Sequence, residues 1–140
     1  MRTRPSFALE VVGQDIDKDY DDKPVLYRAL DVEELVLFDP HATARSRRRL
    51  RWQVFRKVRS RGLVRVEVSN GDRVQSRALG CWLRVVEHHG RMALRLATGE
   101  QGEALVLTDV EQERAAREQA EAEVARLRAE LAALKARRRR

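Results

Sequence analysis

Cysteine and long apolar stretches are scarce in this sequence. Cys81 is the only cysteine, so the chain cannot form an internal disulfide, and we expect a protein of the reducing cytoplasm. The first apolar run stops at Val12, before an acid-rich stretch, which is not the form of a signal peptide. No stretch is long and apolar enough to cross a bilayer, so we expect no membrane partner.

Acidic residues are outnumbered by basic ones. The 140 residues include 29 lysines and arginines against 22 aspartates and glutamates, for a net charge of +7. A basic surplus favours polyanionic partners such as DNA or RNA, because binding releases counterions, although an arginine-rich composition bias is the alternative. Charged residues make up 36% of the chain, which is high for a compact globule and indicates a solvent-facing helical segment.

The N-terminal part has the pattern of strand, helix and strand. Residues 7–12 and 35–38 are short apolar runs typical of buried strands. Between them, an acid-rich loop leads to Pro24, which suits the first turn of a helix with Asp21 or Asp22 as its N-cap. This order predicts a crossover unit, with a sheet of mixed direction as the alternative.

Apolar and charged residues alternate in several short segments between residues 50 and 96. Such period-two patterns indicate half-buried strands, and Asn70-Gly71 and residues 88–91 are candidate tight turns between them. We therefore predict an α+β domain over residues 1–108, with a mixed, mostly antiparallel sheet.

Glycine and proline are absent from residues 109–140, which are rich in alanine, glutamate, arginine and leucine. This composition predicts a long C-terminal helix. Val124, Leu127, Leu131 and Leu134 recur at spacings of three, four and three, which is an a/d seam of about two heptads. The seam is shorter than the usual threshold for a coiled coil, but it suits self-pairing or docking to another helix. We expect a homo-oligomer formed through this helix, as a candidate coiled coil. Its basic end could contact DNA, but it also complements the helix dipole.

A carboxylate interrupts the first apolar run. Glu10 lies within a predicted strand, where burial is costly unless the charge is paired or binds a metal. Lys23, at the start of the next helix, could fold back over the same edge of the sheet. Such a pair could help to hold magnesium and to assist a water molecule in phosphodiester hydrolysis, although a structural ion pair is the alternative.

Several segments together resemble a known family. They are PSFALEVV at residues 5–12, the Asp19, Lys23 and Tyr27 spacing, VEELVLFDP at residues 32–40, and Ser76-x-x-Leu79-Gly80. This set resembles the Uma-two family of restriction endonucleases, within the PD-(D/E)XK nuclease superfamily.

The resemblance implies a restriction-endonuclease-like core that hydrolyses DNA with magnesium or manganese. It implies that Glu10 and Asp19 bind the metal and that Glu10 and Lys23 are catalytic. Lys18 is the reserve candidate for the catalytic lysine.

Two departures from the family pattern bear on activity. Ser6 replaces an aspartate, and the nine residues before Glu10 include none of the upstream acidic residues that the family has. We therefore expect a C-terminal fragment, a late-start gene model or a degenerate homologue, with impaired cleavage. The alternative is a non-catalytic DNA-binding or helix-mediated assembly module.

Two further charged segments are candidates for binding. The alternating aspartates of residues 15–21 begin like a calcium loop, but position six would be Tyr20 and position twelve Leu26, which excludes an EF-hand. A basic stretch over residues 45–61 could track a phosphate backbone, or it could guard an edge strand against aggregation. The candidate nucleic-acid-binding residues are Arg47, Arg48, Arg49, Arg51, Arg56 and Lys57.

Overall fold

A computed structural model describes residues 3–139 of the chain. The structure divides into two units, Met1–Leu105 and Val106–Arg140. The first contains eight described strands and a short helix, and the second contains one long helix. The predicted α+β fold and the long C-terminal helix are therefore confirmed.

The strands of the first unit form two four-stranded sheets rather than the one sheet predicted. The first sheet has the order β1-β2-β3-β4, and the second has the order β5-β6-β7-β8. Only β1 and β2 pair in parallel, and the remaining neighbours are antiparallel. The strands are β1 (Phe7–Val11), β2 (Glu34–Phe38), β3 (Trp52–Val58), β4 (Gly62–Ser69), β5 (Arg73–Ser76), β6 (Cys81–His88), β7 (Arg91–Thr98) and β8 (Ala104–Leu105).

The predicted crossover unit is present in the first sheet. Helix α1 (Lys23–Ala29) connects β1 to β2, which pair in parallel from Phe7 opposite Glu34 to Val11 opposite Phe38. All five residues of β2 are buried, because this strand is covered on both faces. A continuous apolar run is the pattern that such a strand requires.

Two apolar cores lie on opposite faces of the first sheet. One core joins this sheet to the second, through Val36, Phe38, Trp52, Val54, Val74 and Leu83. The other lies beneath α1 and the segment before it, and contains Val12, Val32, Leu35, Leu37 and Phe55. Alternation along β2 sends successive side chains into the two cores in turn.

The segment before α1 differs from the sequence prediction. It was expected to be a loop, but helical structure begins at Ile16 and continues through a π-helical segment, Lys18–Asp22, directly into α1. The backbone N–H of Lys18 donates to Oδ1 of Asp15 at 3.3 Å, so the capping side chain is that of Asp15. The predicted cap at Asp21 or Asp22 is wrong, because the chain is already helical there.

The second unit is dominated by helix α2 (Asp109–Arg138). A capping box fixes its start, because Thr108 accepts from the backbone N–H of Glu111 and the Glu111 carboxylate accepts from Thr108. Within residues 3–139, none of the helices has the length and apolar character needed to span a membrane.

Candidate functional site

The Glu10 carboxylate lies on the face of β1 that carries α1. Glu10 pairs in register with Leu37, whose side chain is in the core beneath the helix, so the two side chains share that face. Lys23 opens α1 and Tyr27 lies one helical turn later, so both project from the same side of the helix. The sequence prediction that Lys23 folds back over the strand agrees with this arrangement.

Lys23 and Tyr27 converge on one oxygen of Glu10. The Lys23 ammonium lies 3.2 Å from Oε1, and the Tyr27 hydroxyl donates to the same atom at 2.7 Å. The side chains of Glu10 and Lys23 are 24% and 28% exposed, so the cluster is open to solvent. Oε2 of Glu10 accepts no hydrogen bond from the described residues.

The hydrogen bond to Glu10 also affects Tyr27. Because the phenol donates to a carboxylate, and because it is partly desolvated, its pKa is raised above the usual value. The proton therefore stays on Tyr27 at neutral pH, where the hydroxyl acts as a donor rather than as a base. The cluster thus combines one carboxylate, one ammonium and one neutral phenol.

The other two predicted site residues have different surroundings. Oδ2 of Asp19 accepts from the backbone N–H of Gly13 at 2.7 Å, so this carboxylate supports the turn after β1. The structure gives no hydrogen bond or ion pair between Asp19 and Glu10. Lys18 is exposed, and its side chain has no hydrogen-bond or ion-pair partner among the described residues. Its backbone N–H donates to Asp15.

The surroundings of Glu10 do not provide a full set of magnesium ligands. Among the described residues, no group of three histidine, cysteine, aspartate or glutamate side chains could hold a metal ion. Oε1 is already bound by Lys23 and Tyr27, which leaves one carboxylate oxygen open. The fit to a resident magnesium is therefore incomplete.

A second carboxylate, which the sequence interpretation did not select, is fully buried. Asp39 follows β2 directly and is 0% exposed. Its oxygens lie 2.9 and 3.0 Å from Nη1 of Arg49, and they also accept from the Tyr20 hydroxyl and the His41 backbone N–H. Burial is the main reason that the pKa of Tyr20 rises to about 12. The sequence signals for Asp39 were its position directly after a buried strand and its place in the VEELVLFDP segment.

A third carboxylate links the two sheets. Glu34 of β2 is buried, and its oxygens accept from the Ser76 hydroxyl, from Nε of Arg56 at 2.9 Å and from the Arg77 backbone N–H at 3.1 Å. Ser76 ends β5, so this cluster connects the first sheet to the second. Ser76, which belongs to the Ser76-x-x-Leu79-Gly80 segment, therefore helps to hold the two sheets together.

Four of the six predicted nucleic-acid-binding residues have partners within the chain. Arg49 binds Asp39, Arg56 binds Glu34, and Lys57 lies 2.5 Å from Asp31. The guanidinium of Arg51 donates to the backbone carbonyl oxygens of Ala42 and Gly71.

The other two predicted binding residues differ from these four. Arg47 is exposed and has no ion pair with a described residue. Arg48 has only a long, exposed contact with Asp17 at 3.8 Å.

An open groove beside the Glu34 cluster carries two arginines that the prediction did not include. Arg59 and Arg77 are exposed and line this groove together with Arg56 and Lys57. The Arg59 and Arg77 guanidinium groups have no hydrogen-bond or ion-pair partner among the described residues. Arg77 lies outside the basic run of the sequence, and its backbone N–H donates to Glu34 at 3.1 Å, which places it beside the groove.

Comparison with protein-family models, with curated proteins and with solved structures finds no match to this chain. The geometry of its own residues therefore carries the functional argument.

Proposed function

We propose that the chain contains half of a nuclease-type site and that its hydrolytic activity is impaired. In the intact family, this site would hydrolyse DNA phosphodiesters with magnesium or manganese in a restriction-endonuclease-like core. The observation that carries the proposal is the convergence of Lys23 and Tyr27 on Oε1 of Glu10, which leaves Oε2 open.

Two features support impaired hydrolysis. A magnesium ion prefers an octahedral set of oxygen ligands, and the carboxylates of a nuclease site usually share the metal. Asp19 accepts from the Gly13 backbone N–H through Oδ2, and among the described residues no group of three histidine, cysteine, aspartate or glutamate side chains could hold a metal ion. The outer edge of β1 also carries no partner strand among the described residues, so no neighbouring strand brings another acidic side chain to Glu10.

A plasmid-nicking assay with magnesium or manganese tests this proposal. The wild type is compared with Glu10→Gln, which removes the charge of the site, and with Glu87→Gln, which removes an exposed charge on β6. We expect all three proteins to give the same low background. If the wild type and Glu87→Gln nick faster than Glu10→Gln, the site is active and the proposed impairment is wrong.

The second candidate function is non-catalytic DNA binding. It is supported by the free guanidinium groups of Arg59 and Arg77 in the groove and by the exposed Arg47 and Arg48. Such cations could contact successive phosphates without reading the sequence of the bases.

Salt-dependent binding to duplex DNA tests this candidate, with Arg77→Ala against Arg91→Ala. Arg91 is an exposed arginine outside the groove. If Arg77 contacts a phosphate, its removal lowers the slope of log affinity against log salt by about 1, and removal of Arg91 leaves the slope unchanged. Equal slopes for both variants would exclude the groove as the binding surface.

A further inference from the structure

Helix α2 carries an apolar seam of four exposed side chains. Val124, Leu127, Leu131 and Leu134 are 45%, 50%, 53% and 59% exposed. Their spacing assigns Val124 and Leu131 to position a and Leu127 and Leu134 to position d of a heptad repeat. These four side chains form one stripe along the C-terminal half of the helix.

The charges beside the seam favour one arrangement of partner. Position g holds Glu123 and Glu130, and position e holds Arg128 and Lys135. In a parallel, in-register pair of helices, each g residue faces the e residue of the next heptad on the other helix. Glu123 then faces Arg128 of the partner subunit, and Glu130 faces Lys135 of the partner subunit, so all four contacts join opposite charges.

The alternative arrangements are electrostatically poorer. In an antiparallel pair, g residues face g residues and e residues face e residues, which brings glutamates together and cations together. A parallel pair shifted by one heptad keeps two attractive contacts instead of four, brings Glu123 opposite Glu121, and uncovers half of the seam. Like charges at these positions act against association, so the charge pattern selects the in-register parallel pair.

The seam is short and bounded at both ends. Arg117 and Arg138 would be the next a residues on either side, so the apolar part spans about two heptads, below the three to four of a strong coiled coil. Valine at an a position with leucine at d positions favours two strands. Within the helix, Glu123 contacts only Arg126, in an exposed pair that competes weakly with an interhelical contact.

We propose that the seam of α2 binds the same seam of a second copy of this chain, in a parallel, in-register pair. The association is weak and reversible because the seam is short. This proposal is independent of the proposed nuclease ancestry.

Sedimentation analysis of the full chain over a wide concentration range tests the pairing. We expect a monomer–dimer equilibrium for the wild type. One variant combines Glu123→Lys with Glu130→Lys, and the other combines Arg128→Glu with Lys135→Glu, so that each alone places like charges at every g–e contact. Each is expected to raise the dimer Kd by roughly tenfold or more, since four attractive contacts become repulsive.

Mixing the two charge-reversed variants provides the decisive comparison. Their e and g residues are complementary to each other, so an equimolar mixture is expected to form a heterodimer with a Kd near that of the wild type. Glu118→Lys, at position b, is the control for a change of charge away from the seam. Circular dichroism checks that every variant keeps its helix.

Cysteine crosslinking tests the orientation. In the in-register parallel pair, Leu127→Cys faces its own counterpart and forms a disulfide-linked dimer on oxidation, above the background given by Cys81 in the wild type. A monomeric wild type at all concentrations would overturn the proposal, as would a mixture no more dimeric than its components. Preferential crosslinking of Leu127→Cys to Leu131→Cys would overturn the parallel orientation.

Discussion

The buried ion pair of Asp39 and Arg49 offers a sharp test of the fold. Asp39 accepts from the Arg49 guanidinium, the Tyr20 hydroxyl and the His41 backbone N–H, and it is 0% exposed. In Asp39→Asn the shape of the side chain is kept, but one acceptor oxygen becomes an NH₂ donor. Since three donors already surround this position, the amide cannot satisfy all of them, and Arg49 loses its counter-charge.

The magnitude follows from the surroundings of Arg49. Removing one partner of a fully buried ion pair costs about 3–5 kcal/mol, because the other charge stays buried without compensation. Arg49 is 26% exposed, so water stabilises part of its charge, and we lower the expected loss to about 2–4 kcal/mol. A domain of this size loses about 4–8 °C in Tm for each kcal/mol.

Urea unfolding followed by tryptophan fluorescence measures this loss. Both tryptophans lie in the first unit, and Trp52 is buried in the core between the sheets, so the emission reports that unit rather than α2. The control is Asp31→Asn, which removes an exposed carboxylate that contacts Arg4 and Lys57. Asp31 has a φ of 58°, which asparagine also tolerates. If Asp39→Asn lowers stability no more than Asp31→Asn, the reasoning about the buried pair is wrong.

Two further predictions concern the tyrosines and one glycine. Folding raises the pKa of Tyr20 to about 12 and also raises the pKa of Tyr27. The stability that these two shifts contribute is therefore fully present below the unfolded pKa of 10.0, and it is lost as the pH rises through the folded pKa values. Because these are the only tyrosines, the tyrosinate absorbance of the native chain should appear above pH 10.0, and titration at that value before unfolding would contradict the assigned contacts. Both Gly102 and Gly80 have a positive φ, but only at Gly102 would an added Cβ lie 2.6 Å from Trp82. In urea unfolding, Gly102→Ala should therefore destabilise the first unit by about 1–3 kcal/mol more than Gly80→Ala does. Equal losses would exclude that steric conflict.

Local periodicity was sufficient to predict the crossover unit and the approach of Lys23 to Glu10, whereas the hydrogen bond from Tyr27 to Glu10 was not predicted. Alternation along β1 sets Glu10 on the face opposite Leu9, and the four-residue spacing of Lys23 and Tyr27 sets both on one side of α1. These relations depend on neighbours that are close in the chain. The sequence could therefore indicate which side chains meet before any tertiary contact was known.

Contacts between distant segments were not predictable in the same way. Glu34 meets Ser76, which lies 42 residues later, and Tyr20 meets Asp39 across 19 residues. The division into two sheets depends on β5, a four-residue strand whose only buried apolar side chain is Val74. The partners of the arginines were also not predictable. Composition does not distinguish Arg49, which binds a buried carboxylate, from Arg47, which is exposed.

A comparison of Glu10 with the two buried carboxylates, Asp39 and Glu34, separates the candidate site from the structural framework. Both oxygens of Asp39 and both oxygens of Glu34 accept hydrogen bonds, and these residues are 0% and 2% exposed. A carboxylate that serves only to hold the fold together is expected to be satisfied in this way, because an unpaired buried oxygen is costly. Glu10 differs in both respects, since it is 24% exposed and only its Oε1 accepts. In Glu10, one oxygen is oriented by a lysine and a phenol, and the other is open to solvent. The open oxygen can still coordinate a ligand, whereas the carboxylates of Asp39 and Glu34 have no oxygen left for this.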